Sequence, residues 1–181
     1  MAMRRRWEIK QPDELHVLQS AQMQAISWIG AYLGEAGNPR NLEIVDAGQA
    51  FLKPERLKQR EALYLASAND PAQHMRVATN HNDRVLGLLY GTQTPNQQEL
   101  QSLYVDPEYF GTGVAIDLVE DFIDWSDPER PIELSVVDDN YRAQAFYRRM
   151  GFTAVEAPPR PVKAFGKVFK HLYEIDMVRE V

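Results

Sequence analysis

The feature that most constrains the fold is a strand that runs through a glycine-containing turn into an amphipathic helix, between residues 99 and 125. The strand-like part ends at Val105, and the turn contains Gly111-Thr112-Gly113. Apolar residues then recur at the helical period, namely Ala115, Leu118, Val119, Phe122 and Trp125. Glycines let a ligand approach the backbone closely, and a helix N-terminus has unpaired N–H donors. The segment therefore fits a phosphate site, with an ordinary turn as the alternative.

The remaining periodicity predicts a mixed α/β domain over residues 1–181. Strands are expected at 6–10, 74–79, 85–92, 99–105, 132–137, 153–157 and 167–178, and helices at 13–33, 54–66, after 107 and at 140–150. Residues 34–53 and 158–161 are predicted to be loops that shape an acceptor pocket, with Arg160 as a plain surface residue. In the first helix the predicted buried stripe consists of Leu15, Leu18, Ala25, Ile26, Ile29 and Leu33.

Composition limits the classes of function. The chain has 20 Lys and Arg against 26 Asp and Glu, a net charge of −6, which argues against a nucleic-acid partner. It has no cysteine, so disulfides, thiolate metal sites and cysteine nucleophiles are excluded. Its four histidines lack ligand spacing, and we expect no metal. No apolar run is long enough for a membrane span, so we expect a cytoplasmic protein without a membrane partner.

A second informative segment is the predicted helix 140–150. Asp138, Asp139 or Asn140 can cap its N-terminus, Arg148 and Arg149 complement the dipole at its C-terminus, and Gly151 can end it in a left-handed conformation. Asn140 and Tyr147 are two turns apart, so both can face one groove. A tyrosine in such a position is by itself an ordinary core residue.

Together the two segments resemble the GNAT superfamily of acetyl-CoA-dependent N-acetyltransferases. Phe110-Gly111-Thr112-Gly113-Val114-Ala115 matches the phosphate-binding motif, except that the family has Gln or Arg where this chain has Phe110. A later motif is matched by Asn140, Ala143, Phe146, Tyr147, Gly151 and Phe152. The resemblance implies a mostly antiparallel sheet of about seven strands, splayed between the fourth and fifth, with about four flanking helices.

The resemblance also implies how acetyl-CoA would bind. The backbone of Leu103, Tyr104 and Val105 would bond the pantetheine and the acetyl carbonyl. The loop and helix start would hold the diphosphate, through Phe110, Gly111, Thr112, Gly113, Val114 and Ala115. Asn140 either bonds the cofactor or caps its helix, and both alternatives stay open. Tyr147 would be placed beside the sulfur.

The expected reaction is transfer of the acetyl group to a primary amine by direct attack. Tyr147 is the candidate acid for the departing thiolate, since its ordinary pKa of about 10 suits protonation of an alkyl thiolate. Glu99 is the candidate base, with a water chain or a solvent-facing carboxylate as alternatives. The acceptor would be a small-molecule or peptide amine, and homodimers are common in the family. The rival hypothesis is a non-catalytic acyl-CoA-binding or regulatory module, which the replacement by Phe110 motivates.

Overall fold

The computed structural model describes residues 6–164 and 166–181. All strands of this part join one sheet, which is antiparallel except between β4 and β5. The strands are β1 Glu8–Lys10, β2 Gln73–Thr79, β3 Val85–Gln93, β4 Gln98–Val105, β5 Ile132–Val137, β6 Thr153–Ala154, β7 Arg160–Ala164 and β8 Lys167–Arg179. The helices are α1 His16–Tyr32, α2 Asn41–Ala50, α3 Pro54–Ser67, α4 Val114–Trp125 and α5 Tyr141–Arg149. A short 3₁₀ turn, Pro107–Tyr109, precedes α4.

The sheet is splayed at its centre, as predicted. Its order is β1-β2-β3-β4-β5-β8-β6, with β7 on β8. The parallel strands β4 and β5 are in register only at Glu99 and Glu133, near their N-terminal ends. Beyond this pair the two strands separate, and backbone groups of residues 100–105 face a cleft instead of a neighbouring strand on that side. The described part thus confirms the mixed α/β fold, with eight strands and five α-helices where about seven and four were expected.

Helix α4 packs unusually close to β3 because two glycines leave room for it. A Cβ atom on Gly91 would lie 2.2 Å from Phe122 Cε2, and one on Gly87 would lie 2.9 Å from side chains of Leu118 and Val114. All three of these α4 side chains are fully buried. The apolar stripe predicted for α4 is therefore the face that packs on the sheet. This packing fixes the direction of the helix N-terminus.

The buried stripe predicted for α1 is wrong at four of its six positions, whereas Ala25 is buried and Ile29 packs against the core. Leu15, Leu18, Ile26 and Leu33 are exposed, while the face turned to the protein carries Val17, Ser20, Ala21, Gln24 and Trp28. Polar residues can occupy that face because each finds a partner: Ser20 bonds the Tyr64 hydroxyl at 2.7 Å, and Ser27 donates to the Val105 carbonyl at 3.2 Å. Burial of satisfied polar groups is not visible in a hydropathy pattern.

Two predicted loops contain regular structure. Residues 41–50 form α2, a helix with weak intrinsic propensity that packs on α1, where Gly48 lets Ile29 approach. Arg160–Ala164 forms β7 despite Pro161, because an edge strand does not need every N–H group for pairing. Both elements depend on tertiary contacts. In the described ranges, every helix is too short or too polar to cross a bilayer.

Candidate active site

The glycine-containing turn adopts the conformation that the sequence suggests. Gly111 and Gly113 have φ angles of +75° and +107°, a region that other residues rarely adopt, and α4 begins directly after Gly113. Thr112 closes the turn, since its hydroxyl and its N–H both donate to the Tyr109 carbonyl, at 2.7 and 3.3 Å. The N–H groups of the first turn of α4 have no acceptor within the helix. Gly113, directly before these groups, borders the cleft, and donors in this position could hold an anion.

Two cavities meet at the splay of the sheet. The first, which we call the glycine arm, has a volume of about 330 Å³ and extends from the splay to Gly111 and Gly113. The second, the polar arm, has about 420 Å³ and extends to Glu99, Arg160 and Glu174. Both are lined by Trp28, Tyr32, Leu103, Tyr104, Asn140, Ala143 and Tyr147. The structure thus provides one continuous cleft with an apolar side and a charged side.

Most of the residues predicted to bind the cofactor line the glycine arm: Leu103, Tyr104, Val105, Phe110, Gly111, Gly113, Ala115, Asn140 and Tyr147. Thr112 and Val114 do not line it. The Val114 side chain is fully buried under Gly87, and Thr112 is turned toward Tyr109. Their expected contribution is through backbone N–H groups, which does not require an exposed side chain.

Tyr147 lies at the junction of the two arms. It is 8% exposed, and its ring packs edge-on against Phe146 and Phe152, with centroids 5.3 and 5.8 Å away. Burial raises the pKa of Tyr147 above its ordinary value, and the neighbouring phenols of Tyr32 and Tyr104 add to this shift. The hydroxyl therefore stays protonated across the physiological pH range, but it is a weaker acid than the ordinary tyrosine from which its role was predicted.

The Asn140 side chain makes two hydrogen bonds inside the protein. Its Oδ1 accepts from the Ala143 N–H at 3.1 Å and caps α5. Its Nδ2 donates to the Tyr32 hydroxyl at 2.9 Å. Of the two roles considered for Asn140, the structure displays the cap, and it adds a contact that ties α5 to the end of α1.

The guanidinium group of Arg142 lies above the ring of Phe110. The guanidinium carbon of Arg142 lies 3.8 Å from the ring centroid, within the range of a cation–π interaction. Both side chains line the glycine arm next to Gly111. Arg142 is in the first turn of α5, where a positive charge opposes the helix dipole. Helix stability therefore does not explain the position of Arg142. Its charge lies beside Phe110, at the position where the family motif has Gln or Arg.

The polar arm holds two carboxylates and an ion-paired arginine. Arg160 binds Glu174, and it also bonds Asp176 at 2.7 Å and the Ser135 hydroxyl at 2.9 Å, so it is a networked residue and the prediction of a plain surface arginine is wrong. Burial raises the pKa of Glu174; Arg160 opposes this shift, while the charges of Asp176 and Glu99 add to it. Glu99 and Glu174 thus lie close enough to interact.

Among the cleft residues that sequence reasoning missed are Trp28, Tyr32, Arg142 and Glu174. Trp28 and Tyr32 are one helical turn apart and form an edge-on pair at 4.8 Å, a spacing that was visible in the sequence. Arg142 carried a weak signal as a cation at a helix start. Glu174 carried no signal, because only the topology of the sheet brings it opposite Val137 and into the cleft. Among described residues, no cluster of His, Asp and Glu could hold a metal ion.

Comparison with known proteins identifies the family. The sequence pattern of the acetyltransferase (GNAT) family matches residues 41–152, which is more than half of the chain. The chain belongs to the GNAT acetyltransferase family. A search of curated proteins finds no significant match.

Solved structures share the fold of this GNAT protein over nearly its whole length. PaiA N-acetyltransferase from Thermoplasma acidophilum, in complex with coenzyme A, has a TM-score of 0.71 at 18% identity, with 97% of this chain and 99% of that chain covered. A GNAT-family acetyltransferase from Streptococcus pneumoniae has a TM-score of 0.67 at 17% identity, covering 97% and 99%. The ribosomal-protein-S18-alanine N-acetyltransferase from Escherichia coli has a TM-score of 0.60 at 16% identity, covering 97% and 95%. At these identities the likeness concerns the fold alone.

Proposed function

We propose that this GNAT protein transfers the acetyl group of acetyl-CoA to a primary amine, and that residues 1–181 form one catalytic domain. The observation that carries the proposal is the meeting of the two arms at Tyr147. An apolar arm that ends in an anion site suits a long, diphosphate-bearing thioester. A charged arm on the other side of the splay suits the approach of a polar amine.

The glycine arm fits coenzyme A by its own chemistry. The left-handed glycines form a cradle that other residues would strain, and the first N–H groups of α4 would hold the diphosphate. Arg142, stacked on Phe110, would supply the positive charge that the family has as Arg at the Phe110 position. Backbone groups of residues 103–105, freed by the splay, would bond the pantetheine amides. A structure of PaiA N-acetyltransferase in complex with coenzyme A shows that a related fold holds this molecule.

The residues at the junction would carry the proton transfers. Acetyl-CoA supplies an activated carbonyl group, which a neutral amine can attack directly. Tyr147 would donate its proton to the sulfur as the carbon–sulfur bond breaks, because it is protonated and lines both arms. Glu99 would accept the proton that the amine releases, directly or through water. Glu174 is a second carboxylate of the polar arm, and burial raises its pKa, so it holds a proton more readily than an ordinary glutamate.

The acceptor is proposed to be a small-molecule or peptide amine, because the polar arm is a narrow cavity and is lined by carboxylates that attract an ammonium group. Glu99 would draw such a group in, and the ammonium group would give up one proton before its nitrogen attacks. Glu174 and Arg160 are paired with each other, and Lys163 adds a positive charge to the lining of this arm, so Glu99 is the carboxylate on which the attraction depends.

The test is release of free coenzyme A thiol from acetyl-CoA in the presence of a panel of amines. Tyr147→Phe should lower kcat about 10²- to 10⁴-fold with little change in the Kd for acetyl-CoA. Tyr141→Phe is the matched control, because Tyr141 lies on the same helix, is 72% exposed and does not line the cleft. Unchanged turnover in Tyr147→Phe would remove its role as acid. Tight acetyl-CoA binding without turnover on any amine would favour the non-catalytic module.

A further inference from the structure

Tyr32 brings a second hydroxyl group to the junction of the two arms. It is the last residue of α1, and its ring packs edge-on against Trp28 at a centroid distance of 4.8 Å. It lines both the glycine arm and the polar arm, as Tyr147 does. The phenols of Tyr32 and Tyr147 also interact electrostatically. Nothing in the family motifs points to α1, and Tyr32 lies outside the residues that the family matches.

The direction of the Tyr32 hydroxyl is set by Asn140. Nδ2 of Asn140 donates to the Tyr32 oxygen at 2.9 Å, which occupies an acceptor position of that oxygen. Oδ1 of the same amide accepts from the Ala143 N–H, so the amide cannot turn over without losing the cap of α5. Asn140 can therefore only donate to Tyr32, and the Tyr32 O–H must itself act as a donor.

The donor has no acceptor among the residues that the structure describes. Among residues 6–164 and 166–181, the hydrogen bond from Asn140 is the one that the Tyr32 hydroxyl makes. Burial raises the pKa of Tyr32, and the neighbouring Tyr104 adds to this shift, so the proton stays on the oxygen. A protonated hydroxyl, fixed in direction and without a partner, borders the place where the two arms meet.

We infer that Tyr32 is a further catalytic residue, which donates a hydrogen bond to the thioester carbonyl oxygen, and that Asn140 is its positioning residue. The inference rests on the proposed function. The proton remains on Tyr32 throughout: the amine nitrogen bonds to the carbonyl carbon, the carbon–sulfur bond breaks, Tyr147 gives its proton to the sulfur, and the base takes the amine proton. The Tyr32 hydrogen bond strengthens as negative charge gathers on the carbonyl oxygen, which lowers the barrier.

In this proposal the phenols of Tyr32 and Tyr147 have separate roles. A single hydroxyl cannot serve the sulfur and the carbonyl oxygen at once, and these two atoms are separated by the carbon that the amine attacks. Tyr147 comes from α5 and Tyr32 from the end of α1, so they reach the junction from different elements. Asn140 connects the two elements, which keeps the two donors in a constant relation.

The first experiment measures the bound thioester rather than turnover. With [1-¹³C]acetyl-CoA bound to the full chain, the carbonyl stretching frequency should be lower than in water and should return toward the free value in Tyr32→Phe. Asn140→Ser keeps an oxygen that can cap α5 but removes the amide donor, and it should give an intermediate frequency. Tyr141→Phe should match the wild type. An unchanged frequency in Tyr32→Phe would overturn the inference while leaving the proposed function intact.

The second experiment is kinetic, with an amine that the panel identifies. Tyr32→Phe should lower kcat about 10²- to 10³-fold, as loss of one oxyanion donor does, with the Kd for acetyl-CoA changed less than threefold. If Asn140 acts through Tyr32, the double variant should be no slower than Tyr32→Phe alone. Multiplying effects would overturn the positioning role. A wild-type chain that binds no acetyl-CoA would overturn the proposed function and this inference together.

Discussion

Replacement of Arg142 by glutamine should weaken coenzyme A binding by about tenfold or more. Arg142 is exposed, stacks on Phe110 and borders the loop of Gly111 and Gly113. A hydrogen bond from a charged donor contributes roughly 1.5–3 kcal/mol, and each 1.4 kcal/mol corresponds to a tenfold change in Kd. Because solvent screens an exposed guanidinium, the lower end of this range applies. The loss should shrink further as salt concentration rises.

The assay is titration calorimetry of coenzyme A at low and high salt, with Arg148→Gln as the matched control. Arg148 lies on the same helix and carries the same charge, but it does not line the glycine arm. Arg148→Gln should change the Kd less than twofold. Pantetheine, which lacks the diphosphate, should bind Arg142→Gln as well as it binds the wild type. Equal coenzyme A affinities for the two glutamine variants would refute the assignment of Arg142.

Three further outcomes are expected. Gly91→Ala should lower the free energy of unfolding in urea by about 1–3 kcal/mol, because its Cβ would lie 2.2 Å from Phe122. Gly30→Ala, at an open helical position, is the control and should be neutral or stabilising. Equal effects of the two substitutions would contradict the packing argument. Gly113→Ala, with a φ of +107° and an ordinary contact of 3.6 Å to the Trp7 ring, should cost about 1–3 kcal/mol of backbone strain and weaken coenzyme A binding. Unaltered affinity would count against the role of the loop. Because the pKa of Glu174 is raised in the folded state, the free energy of unfolding should fall as pH rises from about 4.5 toward neutrality. Glu174→Gln should make this fall shallower. Identical slopes of unfolding free energy against pH in the variant and the wild type would exclude the effect.

Local sequence was sufficient where the physical cause is local. The turn at Gly111 and Gly113 follows from the need for residues that tolerate positive φ, and the predicted start of α4 follows from the turn. The cap at Asn140 could be predicted because a short polar side chain bonds an N–H three residues on. These two segments carried the family assignment, and the match over residues 41–152 confirms it.

Contacts between residues far apart in the chain could not be predicted from the sequence in this way. The stripe predicted for α1 was wrong because its inner face holds polar groups, such as Ser27, whose partners lie on distant strands. The strand β7 was missed because its pairing with β8 outweighs the presence of Pro161. Hydrophobic periodicity measures transfer of side chains from water, and it does not register a hydrogen bond that makes polar burial acceptable.

By itself, then, the sequence determined the class of fold, the glycine-containing turn and the helix that bears Tyr147, since each depends on the conformational limits of a few neighbouring residues. Only the tertiary structure decided which groups share the cleft. Arg142 meets Phe110 from another helix, Asn140 meets Tyr32 across 108 positions, and Glu174 faces the same arm as Glu99. These contacts arise because β4 and β5 part after a single register pair, so that elements far apart in the chain close around the gap.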